Sequence, residues 1–166
     1  MRRILSLALL LALSGSAACG FGTSTTTDDP ARTLAAVQQA HDRYVAGINS
    51  NAVEQWLPSL GDDVVYLVPN QQAIVGRAAV AAWAARYLQE VTTHWTKSVQ
   101  DFQISGDWAI GRYVYTASDS VIIRDPETEG GGTANDSGWG LVVYHRDRDG
   151  QWRVARDAWG SDRPAR

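Results

Sequence analysis

Acid–base chemistry needs a carboxylate or an imidazole held among donors where water is scarce, and the last apolar run of the chain supplies one candidate. Across residues 152–159, Ala155, Asp157 and Trp159 alternate with Val154, Arg156 and Ala158, so a strand would put Asp157 and Trp159 on one face. A carboxylate among aromatic rings has its pKa raised by desolvation unless a donor offsets it, which is how acid–base groups are tuned. The structural alternative pairs Asp157 with Arg112, Arg153 or Arg156. Tyr44 is the second candidate; it shares a helical stripe with Leu34, Val37, His41 and Ile48, where a core tyrosine would also fit. His94 is the third, an imidazole at a strand start that could shuttle protons beside a carboxylate. His41 and His145 read as core-edge or surface groups.

Other chemistries find no footing. The sequence has one cysteine, no His-Glu-x-x-His and no short-spaced histidine pair, so no metal is expected. Gly130-Gly131-Gly132 is followed by no Lys-Ser/Thr step, and no G-x-S-x-G occurs, so neither a phosphate loop nor a serine hydrolase is expected. No cofactor is implied. A net charge of −3 and a pI near 5.5 argue against nucleic acid. The stronger lead is apolar. With 7 Trp and 6 Tyr against 2 Phe, many rings carry a polar handle suited to a core edge or a ligand wall. Tyr66 shares strand parity with Val64 and Val68, and Trp83 shares a helix face with Val80 and Tyr87. Tyr66, Val68, Trp83 and Trp159 are therefore the expected walls for a small apolar or aromatic molecule.

These residues need elements to hold them. Residues 1–18 carry Arg2 and Arg3, an apolar run over 4–13 and then small residues, the layout of a secretory signal. The run is shorter than the about 20 residues of a membrane-spanning helix. Ala17-Ala18-Cys19-Gly20 resembles a bacterial lipobox, with Ser16 where leucine is usual, and residues 19–29 form a polar tether. The expectation is export, with lipidation at Cys19 anchoring the protein at the periplasmic face of a bacterial membrane; a secreted soluble form is the alternative. Extra acylation would secure the anchor, since one chain holds only marginally.

Residues 30–164 read as one domain. Asp28-Asp29-Pro30 starts a helix that Gly47 and Asn49-Ser50-Asn51 end. A short helix with Val53, Trp56 and Leu57 stops at Pro58, and Gly76 opens a third helix. Strands are expected at 64–68 and 73–75, then at 95–104, 108–118, 139–146 and 152–159, with turns at Gly106-Asp107 and Asp149-Gly150. A long loop is expected over 125–136. Helices followed by hairpin-linked strands mean α+β, with helices on one face of the sheet.

Several strings occur in an order that resembles one superfamily. They are Arg43-Tyr44-Val45-Ala46 before Asn49, Asp62-Asp63-Val64, Val75-Gly76-Arg77, and the ending from Trp152 through Ala158-Trp159 to Ser161-Asp162-Arg163-Pro164. The chain is similar to the nuclear-transport-factor-2-like group, which includes ketosteroid isomerase and SnoaL-like domains. The resemblance implies a cone-shaped, curved antiparallel or mixed sheet of about six strands, closed by three helices in the N-terminal half. It places Asp157 inside the cone and implies a homodimer through the outer sheet face. It also places Val68 and Val142 where that isomerase keeps its base and its protonated Asp, so that reaction is not expected. The leading expectation is a small-molecule-binding domain. The alternatives are an acid–base cyclase, dehydratase or isomerase on a polyketide- or steroid-like substrate, and a non-catalytic dimerisation module.

Overall fold

The computed structural model describes residues 29–122 and 132–163. The leader, Cys19 and most of the tether lie outside them, as do Gly130, Gly131 and Pro164.

Helix α1 spans Pro30–Asn49. Asp29 caps it by accepting from the Ala31 N–H at 3.0 Å, and Pro30 occupies a first-turn position that needs no donor. It buries Val37, Ala40, His41, Tyr44 and Ile48, whereas Leu34, expected on the stripe, is 37 % exposed. Gly47 lets the next helix close in, because a Cβ there would meet the Trp56 Cα at 2.9 Å. That helix, α2 (Val53–Trp56), runs into a 3-10 turn at Leu57–Ser59, and α3 covers Arg77–Glu90.

The strands are β1 (Leu60–Leu67), β2 (Ile74–Val75), β3 (Val91–Ser105), β4 (Trp108–Val121), β5 (Thr133–Arg146) and β6 (Trp152–Ser161). They form one mixed, curved, unclosed sheet in the order β2-β1-β6-β5-β4-β3, in which only the β1–β6 pairing is parallel. The α+β cone expected from the sequence is the observed architecture. Several boundaries differ, because pairing with neighbours extends the strands beyond their apolar runs: β1 begins at Leu60, beside β6, and β4 runs on to Val121, beside β3. β3 begins directly at the end of α3, and β5 begins at Thr133, so the end of the expected 125–136 loop is strand, paired to β4 at Ser120.

Two register shifts bend the sheet and reassign side chains. In β3 the pairing skips Gln100, and in β6 it skips Ala155. The second shift corrects strict alternation: Val154 and Asp157 are both fully buried, although period two put them on opposite faces. On the inner face Tyr113 lies across from Gly140, and a Cβ at Gly140 would collide with the tyrosine ring and the Ala158 carbonyl. That glycine is what lets Tyr113 fold flat into the cone.

The edge strand β3 is not bare. Asn49 and Asn51, at the end of α1, bond its backbone with both ends of their amides. Asn49 accepts from the Trp95 N–H at 2.7 Å and donates to the Trp95 carbonyl at 2.8 Å. Asn51 does the same at Thr93, at 2.7 and 3.0 Å. Two amides thus stand in for a missing neighbour strand and set the depth of Thr93, Trp95 and Lys97 in the cone. No helix among the described residues is long and apolar enough to cross a membrane.

Candidate functional site

Asp157 points into the cone and is fully buried. Its partner is none of the arginines considered from sequence. It is Lys97, whose Nζ lies 2.5 Å from Oδ2, with the two side chains 2 % and 0 % exposed. Tyr44 also donates to Oδ2 at 2.6 Å, and Tyr113 donates to Oδ1 at 2.7 Å. Three donors on one carboxylate suit its ionised form. The chain of donation runs further back. With its proton on Asp157, Tyr44 accepts from the Tyr66 hydroxyl at 2.8 Å, and Tyr66 accepts from the Trp56 indole N–H at 3.1 Å. Burial, then the charge of Asp157, holds the Tyr44 and Tyr66 hydroxyls protonated, with pKa values well above the ordinary tyrosine value.

The Lys97 ammonium sits among rings, 4.7 Å from the Tyr113 centroid, 4.8 Å from Tyr44, 5.3 Å from Trp95 and 5.6 Å from Trp159. Burial pushes its pKa below the ordinary lysine value, against the pull of Asp157. Its backbone is tied as well. His41 donates from Nε2 to the Lys97 carbonyl at 3.1 Å, which leaves Nδ1 to accept from the Tyr144 hydroxyl at 2.8 Å. Both ring nitrogens are thereby used by a neutral imidazole, and burial pushes the His41 pKa down.

An open cavity of about 430 Å³ lies at the mouth of the cone, walled by Val68, Trp83, Tyr87, Trp95 and Trp159. Trp83 stacks on Tyr87 at 5.5 Å, while Trp95 and Trp159 meet edge to face at 6.0 Å. The latter two rings line the cavity and also flank Lys97, so the ion pair lies beneath the cavity rather than in it.

Three carboxylates that the sequence did not mark as site residues line this mouth: Glu90 at the end of α3, which is exposed, Asp119 of β4 and Asp136 of β5. Asp136 is bonded on both oxygens, with Ser161 donating to Oδ1 at 2.6 Å, Tyr115 donating to Oδ2 at 2.8 Å and Arg163 nearby at 3.8 Å. Burial acts to raise its pKa, but these partners hold it below the ordinary carboxylate value. Asp119 is bonded on one side only. Tyr87 donates to its Oδ1 at 2.7 Å and Thr93 at 2.5 Å, and Thr93 in turn accepts from the Trp95 indole at 2.9 Å.

The structure therefore brings Asp157, Tyr44 and Tyr66 together below the cavity, and Val68, Trp83 and Trp159 around it. It does not bring His94, which is exposed on the opposite face of β3 from Thr93, Trp95 and Lys97. An imidazole there cannot reach Asp157. Among the described residues no cluster of three His, Cys, Asp or Glu could hold a metal ion. Lys97 was missed, yet a signal for it exists: it is the only lysine among 15 basic residues and has the strand parity of Trp95.

The model of the SnoaL-like domain matches residues 41–155. The chain belongs to the SnoaL-like family. Solved structures agree on the fold. A conserved protein from Planctomyces limnophilus is 19 % identical with a TM-score of 0.68, covering 79 % of this chain and 98 % of its own. A ketosteroid isomerase-like protein from Erwinia carotovora is 20 % identical at 0.66, covering 79 % and 97 %. A hexachlorocyclohexane dehydrochlorinase is 14 % identical at 0.67, covering 80 % and 87 %. At these identities the likeness carries the fold alone. The search of curated proteins gives no match. In this SnoaL-like domain Trp83, Trp95 and Trp159 stand at the mouth of the cone, over the Lys97–Asp157 pair.

Proposed function

We propose that this SnoaL-like domain binds a flat apolar or aromatic molecule in the mouth of its cone. The observation that carries the reading is the open cavity of about 430 Å³, in which three tryptophans, a tyrosine and a valine supply the apolar wall, with charged and amide side chains also lining it. That volume lies in the range of small-molecule sites and suits a molecule of two or three fused rings. An acid–base enzyme using Asp157 and Tyr44 fits less well, because Asp157 is sealed from the cavity and already bonded by three donors. A pure dimerisation module would have no use for an open aromatic mouth.

Titration calorimetry with 2-methoxynaphthalene tests this. The expected Kd is about 10–100 µM, from the efficiency of small ligands. Trp83→Ala removes one wall and is expected to weaken binding about tenfold. No binding to the unaltered protein up to about 1 mM contradicts the reading.

The proposal also places the domain at a membrane face through acylated Cys19, supported by the small-residue run before it and the polar tether after it. It pairs two copies through the outer sheet face, supported there by exposed Ile110, Val114, Trp139 and Leu141. Mass spectrometry of membrane-extracted protein is expected to find lipid on Cys19, and sedimentation is expected to find a dimer. An unmodified N-terminus at another residue counts against the first, and monomer alone at micromolar concentration counts against the second.

A further inference from the structure

Asp119 is the group in the mouth that the core does not use up. Its Oδ1 takes both internal donors, Tyr87 and Thr93. Its Oδ2 takes no hydrogen bond among the described residues, and it is not among the buried atoms left without a partner, so it reaches solvent on the cavity wall. Asp119 forms no ion pair among the described residues, unlike Asp136, whose two oxygens are both occupied. The hydroxyls of Tyr87 and Thr93 hold the carboxylate in one orientation, and Trp95 orders Thr93 in turn. A rigid acceptor beside three indole rings is a recognition element in want of a donor.

We infer that Asp119 anchors the ligand by accepting a hydrogen bond through Oδ2, so that the molecule bound in the mouth is a ring compound bearing an O–H or N–H group. This rests on the mouth being the binding site. The other charged groups there leave the role to Asp119. Arg163 is engaged with Asp136, and Arg86 is an exposed donor that cannot accept from such a group. Glu90, the remaining carboxylate on the wall, is exposed at the end of α3, and no hydroxyl among the described residues holds it in one orientation.

Two probes of the same ring system separate the ideas: 2-naphthol, which carries a donor, and 2-methoxynaphthalene, which does not. The unaltered protein is expected to bind 2-naphthol about tenfold more tightly, the size of effect usual for a hydrogen bond to a charged group. Asp119→Asn presents its amide oxygen to Tyr87 and Thr93 and turns an N–H toward the cavity. The preference for 2-naphthol is expected to vanish, through a loss of about tenfold in its affinity or a gain for 2-methoxynaphthalene, whose ether oxygen can accept from the new N–H. Urea unfolding followed by tryptophan fluorescence reports separately whether the variant is folded. Equal affinity of the unaltered protein for both probes overturns the anchor and leaves the binding mouth standing, a result that does not depend on the variant folding. No binding of either probe overturns both.

Discussion

Lys97→Met is expected to destabilise the domain by about 3–5 kcal/mol, the range for breaking a buried ion pair by removing one partner. The methionine fills the same channel between Tyr44, Tyr113, Trp95 and Trp159, so lost volume is not the cause. The cause is the carboxylate left behind. Asp157 is fully buried, and two tyrosine hydroxyls cannot replace a cation. Asp157→Asn is expected to cost as much by the reverse route, since it leaves the ammonium buried and unpaired. Judged without its partner, the same change would cost only the roughly 1–3 kcal/mol of a lost buried hydrogen bond. The double variant Lys97→Met/Asp157→Asn carries no buried charge and keeps an acceptor for one tyrosine. It is expected to be more stable than either single variant, a non-additivity that marks direct coupling. Urea unfolding followed by tryptophan fluorescence measures all three. Additive losses in the double variant would mean the pair is not the keystone the geometry makes it.

The second large effect is a loss of stability in mild acid, set by His41. Its imidazole is 5 % exposed, donates to the Lys97 carbonyl and accepts from Tyr144, so a proton on Nδ1 must displace the Tyr144 hydroxyl. Burial holds its folded pKa below the ordinary value of 6.5. As pH falls through about 6.5, the unfolded chain takes up a proton that the folded chain refuses. The contribution is therefore fully present above that pH and is lost as pH drops toward the folded pKa. The slope is about 1.4 kcal/mol per pH unit where the two states differ by a whole proton. His41→Gln removes the titrating group, so the fall in stability between pH 7 and 5 is expected to shrink by this amount, whatever the variant costs at pH 7. An unchanged slope would mean that His41 is protonated in the folded state.

The helices and the hairpin turns were legible because they rest on local periodicity and on turn residues, whereas the inward face of Asp157 followed from the family resemblance. Gly106 and Gly150 both take positive φ values where the turns were expected. What stayed hidden depends on register between distant segments. Nothing local joins Lys97 to Asp157, which meet only because β3 and β6 flank β4 and β5 in one bent sheet. The bulge at Ala155 breaks the alternation on which the assignment of Val154 rested. His94 and Lys97 sit three positions apart in β3, so one faces out and the other in, and the outward one looked more like chemistry. Asp119 gave no sign, because its interest comes from Tyr87 on α3 and Thr93 on β3 converging on a single oxygen.

In the proposed binding mode a small flat molecule enters the tryptophan-walled mouth and goes no deeper. Its most direct test is the set of tryptophan indole N–H signals in a two-dimensional nitrogen–proton spectrum, recorded while 2-methoxynaphthalene is titrated in. Shifts are expected at Trp83, Trp95 and Trp159, which line the cavity, and none at Trp108 or Trp139 on the outer face or at buried Trp152. Shifts at Trp108 or Trp139 with the three mouth signals unmoved would contradict it.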